Sequence, residues 1–334
     1  MNDFSDKNLK QRLTIFTIIS FLLPVLITIP LYIAKTKGID VITFGFTHML
    51  LPAMGVIIGN IFYNDNNQIN KFYAMYISIT IAYVMLSISN IFIHKNVCEI
   101  LQYVLLIIGS LLCYFLLKKC NHSELRKNGL DLKVPLKMFK YVALFTILYT
   151  LDITLRCLAS NELNILIKDF FRVKNVINIL FILPSYLIGY IIYFGEEYGW
   201  RYFLQPILQH KFGKRFGILI LGIIWGIWHL PLRLFESNTL SNGLIYMIAQ
   251  LGICIAFGIF LGYIYMKTQN IWIVTIIHFL NNNLLSILIR TKELSDNTNI
   301  SIKDSLIASL ISILVYGWVI FSKVFSKKDE EPLA

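Results

Sequence analysis

About ten apolar stretches, each close to the ~20 residues that a helix needs to cross a bilayer, dominate this sequence. They are predicted at about Leu13–Ala34, Val41–Phe62, Phe72–Ile93, Leu101–Leu117, Phe139–Leu158, Val176–Phe194, Phe216–Leu234, Leu244–Met266, Ile271–Ile289 and Leu306–Phe321. Hydrophobic residues make up 57% of the chain and charged residues only 15%, which is far from a soluble domain's balance. The sequence therefore predicts an all-α, polytopic transmembrane bundle.

The basic residues predict how this bundle is oriented. The chain carries a net charge of +11, and most of its 30 Lys and Arg fall in loops that share one side if the N-terminus is cytoplasmic. By the positive-inside rule, both termini are predicted to face the cytoplasm. The first helix is predicted to be a retained anchor rather than a signal peptide, because its apolar core is too long. Because the charges lie in short loops, they favour anionic lipid over nucleic acid as a partner.

One polar connection divides the chain. Lys118–Lys137 contains Asn128-Gly129 and is predicted to turn and fray at the cytoplasmic surface. It separates a four-helix region, residues 1–137 with this loop, from a six-helix region, residues 138–334. The five cysteines are scattered, odd in number and without a CxxC pair, so they predict neither a disulfide framework nor a thiolate metal site.

Some polar and small residues in the apolar stretches are expected to be structural. His48 stands alone in the second stretch, whereas Asp152 and Arg156 are four apart and can neutralise each other on one helix face. Gly222 and Gly226 have the spacing that lets two helices approach closely.

A second set of polar residues is too concentrated for that interpretation. Its members are Glu196, Glu197 and Arg201 after the sixth stretch, His229 in the seventh, and His278, Asn281 and Asn282 in the ninth. Ionisable groups at bilayer depth cost a few kcal/mol each on insertion scales and usually mark a functional site. These residues are therefore the candidates for chemistry.

Their spacing predicts that they lie at similar depths. Glu197 is 16 residues before Gly213 and His229 is 16 residues after it, in what reads as a hairpin with a basic turn. At about 1.5 Å per residue, both side chains would lie some 24 Å up continuous, upright helices. His278 and Asn282 are four apart on one face and would reach a similar depth from the next cytoplasmic turn.

Such a set suits hydrolysis of a peptide bond inside a membrane. That reaction needs a water, a base for its proton, a donor opposite the developing oxyanion, and surroundings that exclude bulk water. Glu196 is the candidate base and His229 the residue that helps to hold the water. His278 and Asn282 are the candidate oxyanion donors, and Arg201 is expected to pair with Glu197.

Three motifs in this order resemble a known family. EEYGWR at Glu196–Arg201, WGIWH at Trp225–His229 and HFLNN at His278–Asn282 are similar to EExxxR, aromatic-xxx-His and HxxxN of the CPBP intramembrane proteases. That family includes CAAX prenyl endopeptidases and bacterial relatives linked to bacteriocin maturation and self-immunity. The resemblance covers about residues 176–290. It implies that Glu196 and His229 activate water, that Glu197 and Arg201 support them, and that His278 and Asn282 bind the oxyanion. Trp225 occupies the aromatic position of the second motif, where Phe is commoner in that family.

The cofactor and the substrate stay open. Glu196, His229 and His278 could bind a catalytic zinc, but HExxH is absent, and a metal-independent glutamate mechanism is slightly favoured. The expected substrate is a hydrophobic or lipid-anchored peptide. Richness in Ile, Asn and Lys suggests an AT-rich genome and a bacterial plasma membrane, where no prenylated CAAX protein is expected. The alternative is a non-catalytic peptide transporter or bacteriocin immunity protein that uses the same polar pocket.

Overall fold

Helices joined by turns and short loops, without any strand, make up the part of the protein that its computed structural model describes, residues 8–39, 42–63, 69–93, 97–170, 173–237, 239–288 and 301–326. The predicted stretch ends at Val41 and Ile289, and the end of the family-like region at residue 290, lie outside these ranges. An all-helical fold satisfies every backbone hydrogen bond within its own segment, as a lipid environment requires. The predicted fold class is confirmed.

Among the described residues, seven helical segments precede Asn128. They are α1 Leu9–Thr17, a π-helical turn Ile18–Leu22, α2 Leu23–Thr36, α3 Ile42–Tyr63, α4 Asn70–Ser89, α5 Val97–Lys118 and the short α6 His122–Lys127. The remaining helices are α7 Phe139–Ala159, α8 Leu163–Phe170, α9 Val173–Glu197, a π-helical stretch Tyr198–Leu204, α10 Gln205–Phe212, α11 Lys214–Trp228, α12 Leu230–Glu236, α13 Leu240–Thr268, α14 Ile271–Leu288 and α15 Ile302–Tyr316.

Eight helical segments within the described ranges are long and apolar enough to span a membrane. They are Leu9–Thr36, Thr43–Tyr63, Asn70–Ser89, Val97–Lys118, Leu136–Ala159, Lys214–Phe235, Leu240–Thr268 and Ile302–Phe321. The other two predicted stretches form α9 and α14, and α14 is apolar over the shorter run Ile271–Leu284. Large apolar side chains such as Ile29, Phe115 and Leu180 are more than half exposed, as lipid-facing residues would be. The chain is an integral membrane protein.

The chain forms two compact units that are not continuous in sequence. Unit 1 comprises Met1–Lys133, Leu187–Ile207 and Asn270–Trp272, and unit 2 comprises Val134–Tyr186, Leu208–Gln269 and Ile273–Ala334. The predicted division cuts the chain once, between residues 137 and 138. In contrast, the segment that carries Glu196, Glu197 and Arg201 belongs to the same unit as the N-terminal helices.

Helix α3 is the central element of unit 1. Gly55 lets α1 approach so closely that an added Cβ would lie 3.1 Å from the Cα of Phe16. Five residues further along α3, the buried Arg12 guanidinium donates to Oδ1 of Asn60 at 2.7 Å. These contacts bring α1 and α3 together along one face of each helix.

The polar connection between residues 118 and 137 is ordered, so the prediction that it frays is wrong. It contains α6, and Asn128 behind that helix is buried, with only 1% of its surface exposed. The Asn128 carbonyl accepts a hydrogen bond from the Tyr198 hydroxyl at 2.9 Å, and its side chain accepts one from Tyr73. Gly129 adopts φ +68°, a conformation that the turn requires. Tyr73 and Tyr198, which are distant in sequence, thus hold this turn in place within unit 1.

Helix α13 is the central element of unit 2. An added Cβ would lie 2.7 Å from the Cα of Ile255 at Gly222 and 3.0 Å from the Cα of Leu251 at Gly226, so the predicted close approach is confirmed. A neighbouring face of α13 packs on α15, where Gly252 meets Ser309. Close packing of three helices therefore builds the core of this unit.

The predicted pair of Asp152 and Arg156 is also confirmed. Arg156 Nε donates to Asp152 Oδ2 at 2.7 Å, and Arg156 Nη2 donates to the Ser312 hydroxyl at 2.6 Å. That hydroxyl in turn donates to Asp152 Oδ1 at 3.0 Å. The pair joins α7 to α15 and has a structural role.

Candidate active site

The glutamate motif lies where the helix changes its winding. Helix α9 ends at Glu197, and the next seven residues, Tyr198–Leu204, are π-helical before α10 begins. π-helical turns are rare and are frequently found at functional sites. The motif therefore occupies an unusual piece of backbone within unit 1.

The three charged residues of this motif are fully buried. Glu196 is 2% exposed, and Glu197 and Arg201 are both 0% exposed. Arg201 Nε donates to Glu197 Oε2 at 2.8 Å, which confirms the expected pair. A buried carboxylate is costly unless it is paired and hydrogen-bonded, so this ion pair allows Glu197 to stay charged next to Glu196.

Glu196 is held by a donor that the sequence reasoning missed. Trp200, one turn further along the helix, donates its indole N–H to Glu196 Oε2 at 3.3 Å. The Trp200 ring itself is fully buried against Phe16 and Phe21 at the junction of α1 and the first π-helical turn. The spacing of four residues between Glu196 and Trp200 was the available signal for this bond.

Two glycines bring the motif against α3. An added Cβ at Gly195 would overlap the carbonyl oxygen of Met49, and one at Gly199 would overlap the ring of Pro52. These glycines flank the glutamates as Gly-Glu-Glu-Tyr-Gly, the small-xxx-small pattern of close helix pairs in membranes. The sequence reasoning did not use this pattern, although it was visible.

Tyrosines complete the support of the motif. Tyr198 stacks between Phe194 and Tyr202, with ring centroids 4.9 and 4.5 Å away. Its hydroxyl lies 3.2 Å from that of Tyr73 on α4 and donates to the Asn128 carbonyl. The N-terminal helices and the connecting turn thus enclose the glutamate motif.

His229 lies at a break between two helices of unit 2. It caps the C-terminal end of α11, and α12 begins at the next residue. Its Nδ1 lies 2.8 Å from the Trp225 carbonyl oxygen. Because a carbonyl can only accept, this hydrogen bond requires the proton on Nδ1, and a neutral ring then carries its lone pair on Nε2.

Two polar side chains on α13 contact the Nδ1 side of His229 in series, and the sequence reasoning missed them. Cys254 Sγ is 3.8 Å from His229 Nδ1, and Gln250 donates to the same sulfur at 3.2 Å. The Gln250 side-chain oxygen accepts from Arg233 at 3.1 Å. Gln250 and Cys254 are four apart in the apolar middle of α13, and this spacing was the signal.

His278 is buried in unit 2, at 3% exposure, whereas Asn282 one turn later is exposed. The His278 ring stands edge-on to Trp225 and Phe257, with centroids 5.6 and 6.1 Å away. Asn282 Oδ1 accepts from Asn281 at 3.0 Å. Trp225 also contacts the ring of His229 at 5.9 Å, so both histidines lie against one indole.

The candidate residues are thus divided between the units. Unit 1 contains Glu196, Glu197 and Arg201, and unit 2 contains His229, His278 and Asn282. That all six share one water at one depth stays a prediction. Within the described ranges, no three or more His, Cys, Asp or Glu side chains are grouped in a way that could hold a metal ion.

The match to a protein family covers the segment that carries all three motifs. Residues 178–284 match the model described as Rce1-like, the type II CAAX prenyl endopeptidase Rce1-like family. The match spans about a third of the chain and confirms the resemblance to the CPBP and CAAX proteases. This family is a protease family, so the match supports a hydrolase. No curated protein and no solved structure matches the chain significantly.

Proposed function

We propose that the protein is an intramembrane endopeptidase that hydrolyses a peptide bond in a hydrophobic or lipid-anchored peptide at a bacterial plasma membrane. The observation that carries this proposal is the buried Glu196 carboxylate, held by Trp200 beside a neutralised Glu197–Arg201 pair. Glu196 is inside the segment that matches the protease family. A carboxylate placed in this way within a membrane protein suits a general base.

In the proposed reaction, Glu196 takes a proton from water while the oxygen attacks the scissile carbonyl carbon. The C–N bond breaks when the tetrahedral intermediate collapses, and Glu196 returns the proton to the leaving amine. Arg201 balances the charge of Glu197, so the motif keeps one net negative charge for this proton transfer. The reaction therefore needs no other acid or base.

The residues of unit 2 supply the remaining roles. The Nε2 lone pair of His229, set by the bond from Nδ1 to Trp225, accepts a hydrogen from the attacking water and orients it. His278 and Asn282 donate to the oxyanion of the intermediate, which is often the largest single contribution to such catalysis. The exposed side of Asn282 is available to a substrate carbonyl.

The decisive variant is Glu196→Gln, which keeps the shape of the side chain and removes the base. Purified chains in liposomes would receive one farnesylated CAAX peptide and one unprenylated hydrophobic peptide, with products identified by mass spectrometry. Glu196→Gln is expected to lower cleavage by at least about 10²-fold. Glu99→Gln, in the first turn of α5, is the matched control and should cleave normally.

Two outcomes would contradict the proposal. Cleavage at the wild-type rate by Glu196→Gln would remove the assignment of the base. Saturable binding of both peptides by the wild-type chain, without any product, would favour the transport or immunity alternative. The ratio of the two cleavage rates would separate a prenyl-dependent enzyme from a general hydrophobic-peptide hydrolase.

A further inference from the structure

His48 on α3 is a buried ionisable residue outside the family-matched segment. It is 3% exposed, and the sequence alone suggested only a structural role. The three motifs assign nothing to it. Its position relative to the glutamate motif can be worked out from the contacts that Gly195 and Gly199 make with α3, all of which lie within unit 1.

Helix α3 runs in the same direction as the end of α9 and the π-helical stretch that follows it, where these segments touch. Gly195 faces the backbone of Met49 and Leu50, and Gly199, four residues later, faces Pro52. Contacts therefore advance along both helices together. Because neither glycine leaves room for a Cβ, the two backbones are in direct contact at the level of the glutamates.

Glu196 and His48 lie on the same side of this contact. Each residue of an α-helix turns the side chain by about 100°. Glu196 follows the contact residue Gly195, whereas His48 precedes the contact residue Met49. Two parallel helices present opposite faces to each other, so a forward step on one and a backward step on the other point to the same side.

Contacts with α1 identify that side independently. On α3, Gly55 is two turns after His48 on the same face, and it touches Phe16 of α1. On the motif, Trp200 is one turn after Glu196 and also touches Phe16, at 5.8 Å between ring centroids. Both faces therefore point toward α1. The vertical offset between His48 and Glu196 is about three residues, or about 4.5 Å, within reach of their side chains.

We propose that His48 is a positioning residue for the catalytic base: an imidazole N–H donates to the Glu196 carboxylate, alongside the indole N–H of Trp200. Two donors from different helices then fix the orientation of the carboxylate toward its water. A hydrogen bond to a charged group in a low-dielectric interior is stronger than one in water. This inference rests on the proposed function, because His48 acts only through Glu196.

The kinetic test compares His48→Leu with variants that keep a donor. His48→Leu is expected to lower kcat by about 10- to 100-fold, the range for a lost hydrogen bond to a charged group, with KM unchanged. The amide N–H groups of Asn and Gln lie close to the positions of the imidazole Nδ1 and Nε2, respectively. At least one of His48→Asn and His48→Gln should therefore recover most of the lost kcat. In a Glu196→Gln background, His48→Leu should cause no further loss, because residues that act as a unit are not additive.

Thr47→Val is the matched control. Thr47 is the preceding residue, is equally buried, and its hydroxyl is 2.8 Å from Ser87 on α4, away from the motif. It should change stability without changing kcat. An unchanged kcat in folded His48→Leu, or a full further loss in the Glu196→Gln background, would overturn the positioning role while leaving the proposed function intact.

A crosslinking measurement tests the geometry without relying on activity. In a chain whose native cysteines are replaced, His48→Cys with Glu196→Cys should be bridged by a short bifunctional thiol reagent, detected as linked peptides by mass spectrometry. Thr47→Cys with Glu196→Cys should not be bridged. Equal or absent crosslinking in both pairs would overturn the proposed neighbourhood, whatever the enzyme assay shows. If Glu196→Gln cleaves normally, the proposed function and the role of His48 are both overturned.

Discussion

Each unit contains an acid and an arginine four residues apart on one helix, and the two pairs differ in their surroundings. In unit 1, the side chains of Glu197 and Arg201 are both 0% exposed. In unit 2, Asp152 is 7% exposed and Arg156 is 28% exposed, and Ser312 contacts both. The same spacing thus yields a sealed pair beside the candidate base and a partly open pair that joins two helices.

The same contrast holds for the candidate catalytic residues. The carboxylates lie on close-packed backbone, enclosed by aromatic rings, whereas His229 is half-buried and Asn282 is exposed. This difference indicates that packing fixes the position of the candidate base, Glu196, in unit 1. Of the two proposed oxyanion donors, His278 is buried as well, whereas Asn282 keeps an accessible side.

The largest expected effect is on stability. Arg201→Met would leave Glu197 buried without its arginine and should lower the free energy of unfolding by about 3–5 kcal/mol. Arg156→Met should cost less, because water can reach a partly exposed site. Thermal unfolding of both variants in detergent would compare them. Equal shifts in Tm would contradict the expectation that the fully buried pair costs more to break than the partly exposed pair.

The next effect concerns the histidine of unit 2. If His278 is an oxyanion donor, His278→Ala should lower kcat by about 10²- to 10³-fold. Asn283→Ala is the control, because the Asn283 side chain donates to the Phe279 carbonyl of its own helix. It should cleave within a few-fold of the wild type. Equal rates for His278→Ala and Asn283→Ala would remove His278 from the site.

A smaller effect tests the backbone contact that carries the glutamates. Gly195→Ala should destabilise the protein by about 1–3 kcal/mol, because the new methyl group would meet backbone atoms of α3 that cannot move aside. Gly189→Ala lies on the same helix and would meet only Leu106 Cδ2, at 3.9 Å. That control should be neutral or slightly stabilising, since alanine favours a helix. Chemical denaturation would measure both.

The smallest effect tests the tyrosine support. Tyr198→Phe removes the hydroxyl that donates to the Asn128 carbonyl and should cost about 1 kcal/mol in the free energy of unfolding. Tyr114→Phe, at a residue that is 39% exposed, should change little. Limited proteolysis of the connection that contains Asn128 should accelerate in Tyr198→Phe alone. An unchanged rate of proteolysis in Tyr198→Phe would show that the Tyr198 hydroxyl does not hold the turn at Asn128.

Local features of the sequence explain which of the predictions succeeded. The helices followed from length and hydropathy, since a run of about 20 apolar residues has few alternatives in lipid. The pairs Glu197–Arg201 and Asp152–Arg156 followed from spacing, because residues four apart share a helix face. The connection between residues 118 and 137 was misjudged, because its polar composition gave no sign of the distant Tyr73 and Tyr198 that hold it.

By itself, the sequence determined the all-helical membrane class, the protease-like segment and the identity of the six candidate residues, because these depend on composition and on spacing within single helices. Only the tertiary structure decided that the glutamate motif belongs with the N-terminal helices, and that α3 meets this motif at Gly195 and Gly199. Such pairings depend on which glycine-lined faces fit together. Residues that are far apart in sequence carry no local pattern that reveals that fit.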